Sequence, residues 1–151
     1  LRNSYEGTTH SHACVMRRVV EICPLVQVGI RSMSKEEKNA AAELPTRIFL
    51  ARNIVGRTDW IAEAVGGLSE HVYLTIDVDG LDPSLVPATG TPEPGGMSWS
   101  ETLELIRQIA ESRTIVGADI VELSPIDGLH SANFLCAKLA YKIIGYALRG
   151  S

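Results

Sequence analysis

Three short apolar runs, Leu25 to Ile30, Val72 to Ile76 and Ile115 to Val121, are rich in valine and isoleucine. They lack the strict polar alternation of a strand with one wet face, so they read as parallel strands covered on both faces. Between and after them the apolar spacing becomes helical. Ser98-Trp99-Ser100-Glu101 is a capping-box pattern, followed by Leu103, Ile106 and Ile109 on a helix predicted to run to Glu111. Asp59 to Val65 predicts a second helix, ended by Gly66-Gly67. Ala132 to Leu148 predicts a third, with Leu135, Leu139, Tyr141, Ile143, Ile144 and Ala147 spaced to pack on a sheet. Strands that alternate with helices imply an α/β fold, a three-layer α/β/α domain with a parallel sheet and right-handed crossovers.

One long irregular segment interrupts this rhythm. Gly80 to Met97 contains Pro83, Pro87, Pro92 and Pro94 together with Gly90, Gly95 and Gly96. Loops of this length without secondary structure are commonly functional, and ligands of open α/β sheets bind beyond the carboxyl ends of the strands. The plainer reading is a surface excursion stiffened by proline.

The strand that feeds this loop ends in acids. In Val72-Tyr73-Leu74-Thr75-Ile76-Asp77-Val78-Asp79-Gly80-Leu81-Asp82-Pro83, Asp77 and Asp79 lie two residues apart. Alternating side chains on a strand share a direction at that spacing, so the two carboxylates can converge on one hard cation beyond the strand end. The alternative is a polar turn, with Asp79-Gly80 reversing the chain and Asp82-Pro83 opening the next loop. Glu122 follows its own apolar run in Gly117-Ala118-Asp119-Ile120-Val121-Glu122-Leu123-Ser124-Pro125. A carboxylate there can bind metal, act as a base or pair with a planar guanidinium; otherwise it caps a helix or meets an arginine.

Composition narrows the chemistry. A chain of 151 residues, 45% hydrophobic, suits one globular domain, taken here as residues 1–151. A net charge of −4 with scattered lysine and arginine gives no basic stripe for nucleic acid or anionic lipid. No apolar run approaches the roughly 20 residues needed to span a bilayer, and the amino end lacks a signal-peptide layout. Without an initiator methionine, the sequence reads as beginning inside a longer chain. Cys14, Cys23 and Cys136 are odd in number and widely spaced, which points to a reducing cytoplasm and to cysteines that act as small semi-buried hydrophobes.

Taken together, Asp77-Val78-Asp79-Gly80-Leu81-Asp82-Pro83, Pro87-Ala88-Thr89-Gly90-Thr91-Pro92, Gly95-Gly96 and Asp119-Ile120-Val121-Glu122-Leu123-Ser124-Pro125 resemble the ureohydrolase family of arginases and agmatinases. The motifs fall in that family's order and correspond to its carboxyl-terminal half. The resemblance implies a three-layer α/β fold, incomplete in this chain. It also implies two manganese ions (Mn2+) that serve hydrolysis of a guanidinium group with release of urea. Carried over by position, Asp77 looks like the carboxylate that bridges both metals and Asp79 like a ligand of one. Glu122 looks like the guanidinium anchor, and Thr91 like a residue that contacts substrate or supports the ligands. Tyr5-Glu6-Gly7 and Ser11-His12-Ala13-Cys14-Val15-Met16-Arg17-Arg18 resemble the agmatinase-like branch. His12 matches the family's loop histidine, a proton shuttle to the leaving amine, and His10 is a competing candidate. His71 and His130 are expected to do no chemistry.

The resemblance also implies a gap. Complete ureohydrolases supply further metal ligands from a Gly-Gly-Asp-His segment and an Asp-Ala-His-x-Asp segment, and neither occurs here. Two carboxylates alone should hold two manganese ions poorly. The expected partners are therefore a small guanidinium substrate such as agmatine, further copies in a homo-oligomer, and the missing amino-terminal half. A lone piece should expose a sheet edge and apolar surface. Two other readings stay open: a noncatalytic piece that keeps the acidic pocket, and a phosphatase of the haloacid-dehalogenase type. The latter wants a threonine-like residue where Leu81 stands.

Overall fold

Helix and strand alternate along the chain as the pattern predicts. The structure is a computed structural model that describes residues 1–149; Gly150 and Ser151, the end of the predicted 1–151 domain, lie outside the described residues. The order is α1 (Val15–Val19), β1 (Leu25–Ile30), α2 (Lys35–Glu43), β2 (Thr46–Leu50), α3 (Ala51–Ile54), α4 (Ile61–Gly66), β3 (His71–Asp77), α5 (Trp99–Ser112), β4 (Thr114–Val121) and α6 (His130–Ala147).

β1 pairs with β2 and β3 with β4, both in parallel, and no ladder joins the two pairs among the described residues. Packing joins them instead. Val26 and Val28 of β1 and Val72 and Leu74 of β3 meet one core with Trp60, Ile61, Val65 and Ile109. A second core sets Ile106 of α5 and Leu139 and Ile143 of α6 against Leu74, Ile76 and Ile120. The helices present the spacing this requires: α5 buries Thr102, Ile106 and Ile109, and α6 buries Ala132, Cys136, Leu139 and Ile143. Ile61, Ile106 and Leu139 are the largest fully buried side chains, each contributing about 2–3 kcal/mol of apolar burial.

The three-layer arrangement is incomplete in this chain. Val72, Leu74 and Ile76 face the helices, whereas Tyr73, Thr75 and Asp77 on the opposite face of β3 are exposed. That bare face has its own polar contacts. Asp119 accepts from Thr75 Oγ1 at 2.5 Å and from the Tyr73 hydroxyl at 3.0 Å. Tyr73 lies over Gly117, where a Cβ would come within 2.8 Å of the ring. Phe134, Tyr141 and Leu148 also expose their rings or side chains on the outer side of α6.

Four elements, α1, α2, β2 and α3, appear where the hydrophobic pattern predicts nothing. One expectation fails: Cys14 and Cys136 are buried, but Cys23 is exposed, because it lies in the turn between α1 and β1 and not on an element that packs.

Candidate functional site

The carboxyl end of β3 carries the predicted acids, with one change of geometry. The strand stops at Asp77, and Asp79 sits in a 3-10 turn, Val78–Gly80. Strand alternation therefore does not align the pair; the turn does, and the Asp79 amide donates to Asp77 Oδ1 at 2.9 Å. Val78 between them is fully buried, which fixes the turn against the fold. Thr91 Oγ1 donates to Asp79 Oδ2 at 2.5 Å, while Asp79 Oδ1 is buried with no partner.

Asp77 keeps an exposed surface, yet protein atoms crowd its carboxyl. That desolvation pushes its pKa up; the neighbouring Asp79 and Glu122 charges add to the rise, while the Asp79 amide and Arg31 act against it. Glu122 lies just past β4 with φ of 66°, a left-handed conformation unusual for a residue with a Cβ. Such conformations cost on the order of 1 kcal/mol or more and cluster where a side chain must be aimed.

The sequence reading missed Arg31. It follows β1 and donates through Nη1 to the Gly80 carbonyl at 3.1 Å and through Nη2 to the Asp79 carbonyl. A cation at the end of a neighbouring strand was its only signal. Asp82 opens the loop, as the alternative reading of this segment expects. Its carboxylate accepts from the amides of Ser84, Gly95 and Gly96, and these bonds, Ser84 foremost, hold its pKa below the usual carboxylate range.

The Gly80–Met97 loop is anchored along its length. The Asp82 amide bonds the Met97 carbonyl and the Met97 amide bonds the Gly80 carbonyl, each at 3.0 Å. Gly96 fits tightly beside this bridge, since a Cβ there would lie 2.4 Å from the Leu81 carbonyl carbon. Val86 and Ala88 are 1% and 0% exposed within a core shared with α6. Thr89 bridges to Leu123, and the Ser124 amide bonds the Ala88 carbonyl at 2.9 Å. The loop thus spans the ends of β3 and β4, and its far part holds Thr91 against Asp79.

His12 opens a short 3-10 turn and packs edge-on to the Tyr5 ring at 5.5 Å. It makes no hydrogen bond to Asp77, Asp79 or Glu122. His10 instead meets Thr9 Oγ1 at 2.9 Å. His71 begins β3 at the far end of the strand, and His130 begins α6. A separate cleft lined by Glu70, Arg107, Arg113 and Tyr146 opens at the amino ends of β3 and β4, away from the acids.

Asp77 and Asp79 suit a hard divalent cation in donor type, and the unpartnered Asp79 oxygen is the observation that fits one. They do not suffice in number, since no three His, Cys, Asp or Glu residues gather to hold a metal among the described residues.

Acids converging beyond the carboxyl ends of parallel strands, under a loop that joins them, define a class of α/β proteins with a ligand site at the sheet's end. The arginase family profile matches residues 1–145, and the chain belongs to that family. An N(1)-aminopropylagmatine ureohydrolase of Synechocystis sp. is 42% identical over 97% of this chain and 48% of its own length. The agmatinase of Pyrococcus horikoshii is 38% identical over 99% of this chain and 52% of its own. The agmatine ureohydrolase of Thermoplasma volcanium has the same arginase-like fold, with a TM-score of 0.84 at 32% identity over 97% of this chain and 50% of that one. The chain spans about half the length of the curated relatives it matches. No helix among the described residues is long and apolar enough to cross a membrane.

Proposed function

We propose that the protein carrying this chain hydrolyses the guanidinium C–N bond of agmatine, or of an aminopropyl derivative of it, and releases urea. One observation carries the reading: Asp77 and Asp79 converge at the end of β3 with Asp79 Oδ1 left free while Thr91 fixes the other oxygen. The relatives' names, agmatinase and N(1)-aminopropylagmatine ureohydrolase, supply the substrate class.

Asp77 and Asp79 would hold two manganese ions jointly with ligands from another segment of the same ureohydrolase-like domain, of which residues 1–151 are a part. When bound, such ions supply Lewis acidity that makes water nucleophilic near neutral pH. Thr91 orients Asp79. Glu122, aimed by its left-handed backbone, pairs with the flat cationic guanidinium and fixes its carbon over the acids. His12, packed edge-on to the Tyr5 ring, delivers a proton to the departing amine. A homo-oligomer is part of the same proposal.

The test is urea release from agmatine with manganese by the complete protein and by its Asp77→Asn and Glu122→Gln variants. Loss of at least about 100-fold in either variant is expected, since each removes a charge that touches metal or substrate. Wild-type rates in both variants would sink the assignment. This chain alone is expected to release no urea, because its two carboxylates do not complete a metal site.

A further inference from the structure

A further carboxylate stands at this end of the fold and has no part in the roles above. Glu93 is half-buried in the far part of the loop, two residues beyond Thr91. Ser32 Oγ reaches both of its oxygens, Oε1 at 2.9 Å and Oε2 at 3.0 Å. Ser32 follows Arg31, which grips the Asp79 and Gly80 carbonyls, and Thr91 grips the Asp79 side chain. Glu93 is thus tied to Asp79 from both sides, through residues 31–32 and through residues 91–93.

We infer that Glu93 binds the cationic amine at the end of the substrate remote from the guanidinium, an inference that rests on the proposed hydrolase reading. Two residues of chain reach at most about 7 Å, so Glu93 stands close to Thr91 and the Asp79 side chain that Thr91 holds. Pro92 and Pro94 flank it and restrict the backbone, which keeps the carboxylate in place before a ligand arrives. Its contrast with Asp82 separates a binding role from a turn role. Asp82 is filled by three backbone amides, whereas Glu93 has one hydroxyl and no ion pair among the described residues. Its spare acceptor positions suit a primary or secondary ammonium. With Asp77, Asp79 and Glu122 nearby, a substrate bearing positive charge at both ends is favoured over one with a neutral or anionic tail.

The test is titration calorimetry on the complete protein without added metal, so that agmatine is not consumed, using agmatine, n-butylguanidine and 4-guanidinobutyrate, with urea release assayed separately in the presence of manganese. The three share a guanidinium and differ at the far end: ammonium, methyl and carboxylate. Wild type is expected to prefer agmatine to butylguanidine about tenfold and to bind guanidinobutyrate weakest. Glu93→Gln should bring agmatine and butylguanidine to similar affinities, Glu93→Asp should restore part of the preference, and Ser32→Ala should lose part of it. Unchanged preference in Glu93→Gln, or a wild type that does not discriminate, overturns the inference. Urea release measured alongside separates the two readings. A preference that depends on Glu93 without urea release would sink the hydrolase reading and leave the contact standing. Urea release with an unchanged preference would sink the contact alone, and neither binding nor urea release would sink both.

Discussion

At the carboxyl end of β3, Asp77 and Asp79 share one backbone amide and one hydroxyl between them, and Asp79 Oδ1 has no partner. Across the loop, at the amino end of α5, Glu101 receives the Gly56 amide on one oxygen at 2.6 Å and the Ser98 amide on the other at 2.8 Å. Burial is the largest influence on both Asp77 and Glu101, and it raises both pKa values. In Glu101 the bonds from Ser98 and Gly56 outweigh it and the net shift is downward; in Asp77 the neighbouring acids add to it and the net shift is upward. Burial alone therefore does not tell a fold residue from a site residue. The number of donors a carboxylate has collected does.

The largest expected effects lie on the satisfied side. Gly96→Ala would drive a Cβ into the Leu81 carbonyl and the Asp82 amide, which are backbone and cannot swing away. A loss of about 3 kcal/mol in urea denaturation is expected. Gly90→Ala, with open space around its Cβ, should stay within about 0.5 kcal/mol. Equal midpoints for the two would break the distinction between a loop glycine pressed against backbone and one with open space beside it. Next comes Glu101→Ala, which strips two amides of a charged acceptor at a position 9% exposed and should cost about 2 kcal/mol. Its pH dependence has a definite sign. The folded pKa lies below the ordinary 4.5, so the contribution is present above that value and is lost as pH falls through the folded pKa. The gap between wild type and Glu101→Ala should be constant from about pH 5 to 8 and close in acid. A gap that widens in acid would contradict it.

How much of this was legible in the sequence follows the same division. α5 was readable from Ser98 and Glu101 together with its buried face, and β1 from Leu25–Ile30, because local pattern and tertiary role agree there. α2 was not, since Lys35–Glu43 buries no residue and has no apolar stripe; its one local signal is the Ser34–Glu37 capping box. β2 is five residues with Arg47 as its second, too short for a period to show. At the candidate site, Asp77, Asp79, Glu122 and Thr91 were singled out by resemblance. Arg31 and Glu93 escaped, because their bonds to Gly80 and Ser32 span 49 and 61 positions and leave no local trace.

Asp77→Asn sharpens the comparison from the other side. A carboxylate whose charged form is disfavoured in the fold should be replaced by its neutral isostere with a gain, here about 0.5 kcal/mol by urea midpoint. Asparagine Oδ1 still accepts from the Asp79 amide, so the turn is kept. Destabilisation comparable to Glu101→Ala would mean that Asp77 serves the fold after all.

Manganese should give the smallest effect, and it asks whether the free oxygen of Asp79 takes up a cation. Added at a concentration equal to its dissociation constant, a ligand of the folded state stabilises by about 0.4 kcal/mol. Two carboxylates and no third ligand give weak binding, so millimolar manganese should shift the chain's melting temperature by a degree or so. The shift should vanish in Asp79→Asn, which keeps a Thr91 contact but loses the charge, and persist in a variant altered far from the acids, such as Glu70→Gln in the cleft at the amino ends of β3 and β4. An equal shift in Asp79→Asn would show that manganese acts on surface charge at large. It would remove the one feature that sets Asp79 apart from Glu101, a carboxylate oxygen held ready with nothing on it.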